Sequence, residues 1–175
     1  MKTLGIIIVV ALGAIVVIDA QAGIDAKLQA ELKRLFPAAA NIAPKGGNPP
    51  HFKVYNKDAR GGDVLAGYAF WTTELQPLER AYDGPIKILV GMDTAGLLTG
   101  IVVVEHHEPY GDFSVDTAAF AAQFRGKNIR DPFKVGGDID AISRATISVT
   151  SASRAVRNSA RRIAREVMTP AASSR

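Results

Sequence analysis

Two apolar runs of strand length, Ile86 to Met92 and Leu98 to Glu105, stand only a short turn apart, the join containing Asp93-Thr94-Ala95-Gly96. The join has hairpin chemistry, because Gly96 can take the positive φ that tight loops need. The second run contains Ile101-Val102-Val103-Val104 without a polar break, which predicts a strand covered on both faces. A chain built on this pair must bring apolar surface to each side of a sheet.

The flanking segments offer it. Residues 24–36 place Ile24, Leu28, Leu32, Leu35 and Phe36 on one side of a helix that Pro37 stops. Residues 37–50 hold four prolines and Gly46-Gly47 and read as an irregular connection. His51 to Tyr55 and Val64 to Thr72 read as two further strands, paired across a turn from Asp58 to Asp63. A short helix is expected from Thr117 to Phe124, followed by a glycine-containing loop to Asp140. The final helix is expected from about Thr150 to Met168, with Ala152, Val156, Ile163 and Val167 on its apolar side and Arg154, Arg157, Arg161 and Arg165 on its basic side. There is no internal repeat. Strands joined by hairpins and flanked by helices indicate an α+β fold around an antiparallel sheet.

The 175 residues contain no cysteine, which excludes disulfides, iron–sulfur ligation, thiolate zinc sites and cysteine nucleophiles. The net charge of +4 is localised. Residues 154–175 carry six arginines against Glu166, and the other 153 residues hold 15 basic and 16 acidic groups. The basic helix reads as a solvated face in preference to a binding element.

At the N-terminus, Met1-Lys2-Thr3 precedes fifteen residues, Leu4 to Ile18, without a polar side chain; Asp19 and Ala20-Gln21-Ala22 follow. This matches an export signal cleaved after Ala22. Fifteen helical residues span about 22 Å at ~1.5 Å each, short of a ~30 Å bilayer core, so an uncleaved anchor requires the helix to continue through Asp19 and Ala20. Both readings put the body outside the cytoplasm, where nucleic acid is not an expected partner. The organisation expected is 1–22 signal peptide or membrane anchor, 23–63 helix, connection and first strand, 64–168 main domain, and 169–175 tail.

Asp140-Ala141-Ile142-Ser143-Arg144-Ala145-Thr146 lies between the glycine-containing loop and the last helix, in a stretch with six hydroxyls from Ser143 to Ser153. One or two would cap the helix. A helix start with further hydroxyls, free N–H groups and an arginine also suits a phosphate. Spacing alone leaves both readings open.

This segment resembles the flavinylation motif of the exported FMN-binding domain family, roughly Asp-x-x-Ser/Thr-Gly-Ala-Thr. That family includes flavin subunits of Rnf-type and sodium-translocating NADH:quinone oxidoreductase complexes and a domain of the nitrous oxide respiration regulator. Tyr82 to Asp93 resembles its strand entry, and Gly96 to Val104 its second strand. Glu105-His106-His107-Glu108-Pro109 is most similar to the nitrous oxide regulator branch, and Phe124-Arg125-Gly126-Lys127 to a Phe-x-Gly-Lys block. The resemblance covers residues 64–160.

It implies an FMN-binding domain whose cofactor phosphate a flavin transferase joins to Thr146 as a phosphoester. Asp140, Ser143 and Ala145 match the recognition positions, and Arg144 stands where the family has glycine. It further implies that Glu108 and Tyr110, after the second strand, shape the flavin pocket. The function implied is an electron-transfer flavoprotein in the periplasm or on the outer face of the membrane, with a membrane redox complex or quinone-linked partner in respiration or denitrification. A flavin-binding accessory or sensory module without electron relay is the alternative. His106, His107 and Glu108 cannot chelate one ion from a straight strand, since adjacent side chains point to opposite faces, and no metal site is expected. Trp71 reads as core rather than as a flavin stacking partner.

Overall fold

Asp25 opens helix α1 (Ala26–Leu35) by accepting the Leu28 N–H at 2.7 Å on its side chain, and the helix closes at Phe36 ahead of Pro37. The computed structural model describes residues 25–168. The segments assigned to a signal or anchor and to a tail lie outside the described residues. No helix among the described residues is long and apolar enough to cross a membrane.

Five strands follow α1: β1 (Asn41–Ile42), β2 (Phe52–Lys57), β3 (Asp63–Trp71), β4 (Lys87–Asp93) and β5 (Leu98–Glu105). They form one sheet in the order β1-β2-β3-β4-β5, every pair antiparallel. The β4–β5 hairpin sets Leu89 opposite Val102 and Val90 opposite Ile101. Its turn uses Gly96 at φ 83°, in the left-handed region that favours glycine. With the helices on both sides, this is the expected α+β architecture.

Side chains alternate across the sheet, and both faces are covered. Leu89, Val102, Ala69, Trp71 and Val54 pack with Leu32 and Leu35 of α1 and with Phe36 at its end. Phe36 lies against the backbone of β3 and β4: a Cβ on Gly67 or on Gly91 would come within 3.0 Å of its ring. On the opposite face, Phe70, Ile88, Val90, Met92 and Ile101 join Phe120, Phe124, Val149, Ala152, Val156, Ala160 and Ile163 in the larger core. Trp71 belongs to the α1 side and carries Lys87 Nζ 5.1 Å from its ring centroid, so it is core.

The larger core is closed by α2 (Ala118–Ala122), capped by Thr117, and by α3 (Thr146–Ile163), which continues as a π-turn over Ala164–Met168. Helix α3 starts four residues before the expected Thr150. Thr146, Ile147, Val149 and Thr150 are β-branched and Ser148 favours caps, so local preference argues against helix there. Complete burial of Val149 and Ala152 outweighs that preference.

The expected basic side of the last helix is solvated only in part: Arg154 and Arg165 are exposed, and several of its arginines are bonded to the fold. Arg161 donates to the carbonyls of Ile129 at 2.7 Å and Asp131 at 2.8 Å, Arg157 to that of Pro132 at 3.3 Å, and Arg162 to that of Gln76 at 2.7 Å. Arg154 pairs with Glu79 at 2.9 Å. The basic side of the helix fastens two irregular connections to it.

Candidate functional site

Three segments converge at the N-terminal end of α3: the β3–β4 connection at Tyr82-Asp83, the turn after β5 at Glu108–Tyr110, and the first turn of the helix. Glu108 joins them. Its carboxylate accepts the Tyr82 N–H at 3.2 Å and the Asp83 N–H at 2.9 Å, and the Ser148 hydroxyl donates to it as well. The residue is buried. Three donors replace the water that a buried carboxylate gives up, which makes burial of the charge tolerable.

Above this clamp opens a cleft of about 380 Å³, lined by Tyr82, Pro109, Tyr110, Arg144, Ala145, Thr146, Ile147 and Ser148. No acidic side chain lines it. Its rim is apolar and open to solvent: Tyr82, Tyr110 and Ile147 are all exposed, and Phe113 stacks beside Tyr110 with ring centroids 5.4 Å apart. The volume falls within the range of small-molecule sites, which pair apolar walls with a few placed polar groups.

The helix end that faces the cleft has no side-chain cap. Ala145 occupies the cap position, so none of the neighbouring hydroxyls meets the expectation of capping α3. Ser148 goes to Glu108, Ser151 to the Arg80 carbonyl at 2.9 Å, and Ser153 to the Val149 carbonyl at 2.7 Å. Thr146, the first helical residue, is exposed. The first N–H groups of α3 and its positive dipole end are thus left for an anion.

Arg144 has φ 68°, in the left-handed region that costs a residue with a Cβ about 1–2 kcal/mol. It sits in a turn closed by the Ala145 N–H to the Ile142 carbonyl at 3.1 Å. Glycine at this position would be unstrained, which is the physical sense of the glycine in the motif that the segment resembles.

Of the residues singled out from sequence, Thr146, Arg144, Ala145 and Tyr110 share the cleft. Glu108 lies behind its wall as a clamp instead of lining it. Asp140 is exposed and Ser143 lies, like it, outside the lining; the Asp140 N–H donates to Gln123 Oε1 at 2.7 Å. Sequence reasoning missed Tyr82, Pro109 and Ile147 as site residues, and treated Ser148 only as a neighbouring hydroxyl. Tyr82 stood in a block that carried the resemblance, but nothing in its spacing tied it to Thr146.

The three histidines separate. His51 is buried near β2, with Nδ1 2.8 Å from the Pro49 carbonyl and its ring edge-on to Tyr68. His107 lies on the turn after β5, outside the cleft lining. His106 packs over Gly111, where a Cβ would collide with the ring, and its Nδ1 accepts the Glu108 N–H at 3.3 Å. One ligand atom each from His106, Asp112 and Asp116 lies within 4.8 Å of the others.

Residues 81–161, which contain β4, β5, the clamp and most of α3, match the family model described as the FMN-binding domain. This part of the chain is an FMN-binding domain. Its relatives agree. The chain is 34% identical over 87 residues to the G subunit of the ion-translocating oxidoreductase complex of Vibrio vulnificus, covering 44% of this chain and 41% of that one. To the corresponding protein of Photorhabdus laumondii it is 31% identical over 134 residues, 71% of this chain and 59% of that one. To the regulatory protein NosR of Pseudomonas aeruginosa it is 31% identical over 150 residues, 77% of this chain and 20% of that one. The chain thus spans about half, or less, of the curated relatives it matches.

FMN is the cofactor of the domain, and the cleft has the chemistry for it. An uncapped helix end and Arg144 suit a phosphate, the Thr146 hydroxyl stands beside them, and Tyr82, Tyr110 and Ile147 offer apolar surface to a flat ring.

Proposed function

We propose that this protein is an extracytoplasmic electron carrier whose FMN occupies the cleft at the start of α3, its phosphate joined to Thr146. The observation that carries the reading is the exposed Thr146 hydroxyl at an uncapped helix end inside an acid-free cleft. A flavin transferase makes the bond. Thr146 Oγ bonds to the flavin phosphorus, an anhydride P–O bond of an activated flavin donor breaks, and the donor's other phosphate leaves as a monophosphate that takes up the hydroxyl proton.

When bound, FMN supplies reversible electron transfer; the protein supplies position and surroundings. The N–H groups of the first α3 turn hold the phosphate. Glu108 fixes the distance between that turn and Tyr82-Asp83, so the cleft keeps its width. Tyr82, Tyr110 and Ile147 border an open edge through which a redox partner approaches. Similarity to a subunit of an ion-translocating oxidoreductase complex supports a membrane redox complex as that partner; a quinone-linked protein of a respiratory or denitrification pathway is the form of it that we propose.

Thr146→Val keeps the side-chain shape and removes the hydroxyl. Chain exported together with a flavin transferase is expected to carry fluorescence through a denaturing gel, and the variant none. Fluorescence that survives in Thr146→Val sinks the acceptor assignment. Location is read from the same preparation: a mature N-terminus at Gly23 supports a cleaved signal, intact Met1 in the membrane fraction supports an anchor, and intact Met1 on cytoplasmic protein refutes export.

A further inference from the structure

We infer that Arg144 is the residue by which the cleft reads the flavin's phosphate, so that a phosphorylated flavin is held in preference to an unphosphorylated one. The inference rests on the cleft being the FMN site. Arg144 lines the cleft, and its guanidinium has no hydrogen-bond or ion-pair partner among the described residues. The contrast with α3 is direct: Arg154, Arg157, Arg161 and Arg162 are all spent on carbonyls or carboxylates of the fold.

The backbone fixes where this free cation stands. Arg144 is held in the left-handed region at φ 68° by the turn to Ala145, and Ala145 is buried at once behind it, only 3% exposed. The side chain therefore leaves the chain one residue before the uncapped helix end, and two positive features converge on one place. Glu108 is buried behind the cleft wall, and no carboxylate among the described residues forms an ion pair with the guanidinium. A phosphate dianion offers the guanidinium fork a charge-assisted, two-point contact, and the terminal hydroxyl of riboflavin offers it neither charge nor fork. The same charge speeds encounter with an anionic ligand and makes binding sensitive to salt.

The test uses the full chain produced without a flavin transferase, with FMN and riboflavin as probes and quenching of their fluorescence as the readout. The wild type is expected to bind FMN about tenfold or more tightly than riboflavin, with the preference shrinking as salt rises. Arg144→Gly, which also removes the strained conformation and so keeps the fold, is expected to lower the preference about tenfold while riboflavin affinity stays put. Arg144→Lys restores part of it. A wild-type preference in Arg144→Gly overturns the inference, as does wild-type protein that binds the two flavins equally or binds neither. The readings fail separately: labelled Thr146 with an unchanged preference in Arg144→Gly removes this inference alone, and a lost preference with Thr146 never labelled removes the ester alone.

Discussion

Ser148 and Glu108, forty residues apart in the chain, share a hydrogen bond that ties the first turn of the last helix to the turn after β5. Two backbone N–H groups from a third segment complete the arrangement. The charge at its centre is buried, so removing it strands three donors at once.

Glu108→Ala is therefore expected to destabilise the domain by about 2–3 kcal/mol, the range for hydrogen bonds to a buried charged group and the donors left behind. For a chain of this size that lowers the melting temperature by roughly 5–10 °C. Ser148→Ala, which removes one donor only, should cost about 1 kcal/mol. Melting curves followed by circular dichroism decide it, and equal losses for the two variants would contradict the shared clamp.

Tyr110→Ala should separate site from scaffold. The side chain is exposed and its hydroxyl holds no other element in place, so stability should change by less than about 1 kcal/mol. The flavin absorbance spectrum or midpoint potential should move, because the ring that borders the cleft is gone. Spectra and potential identical to wild type would remove Tyr110 from the flavin environment.

Asp138 predicts a pH dependence. Burial alone would push its carboxyl up, but the Lys134 N–H at 2.6 Å, the Lys127 ammonium at 3.1 Å and the Phe133 N–H at 3.1 Å outweigh that and hold it below its ordinary 3.8. A depressed folded-state value means that the contribution to stability is present above the unfolded value and disappears as pH falls through the folded one. Asp138→Asn should lower the urea midpoint at neutral pH, and the gap to wild type should close as the pH drops below about 4. A gap of constant size would show that the ionised form is not what stabilises this loop.

What the sequence disclosed follows the range of the forces involved. The β4–β5 hairpin was legible because its signals are local: an apolar run, a turn with Gly96, and a second apolar run. The two-sided cover of β5 was legible for the same reason, since Ile101 to Val104 has no polar face to offer water. The start of α3 was not, because residues 146–150 are poor helix formers whose conformation is decided by burial of Val149 against the sheet. The arginines of that helix misled for a related reason: their partners are carbonyls 25 to 86 residues away, which no helical spacing reveals.

The candidate site divides along the same line. Thr146, Arg144 and Ala145 form one contiguous motif and were found together. Glu108 was found as a residue but not as a clamp, since its partners sit 25, 26 and 40 positions off. Asp140 and Ser143 were carried along by the motif, and the fold leaves them outside the cleft lining. Tyr82 could have been found only by knowing that its backbone meets Glu108.

The clamp also sets when the threonine comes on display. Its parts are synthesised far apart, and the last of them, Ser148, arrives only with the final helix. Until that helix docks, Glu108 lacks a donor and Thr146 is one hydroxyl on an unformed segment. The cleft therefore exists only once the last helix has docked, and its shape is a mark of the completed fold.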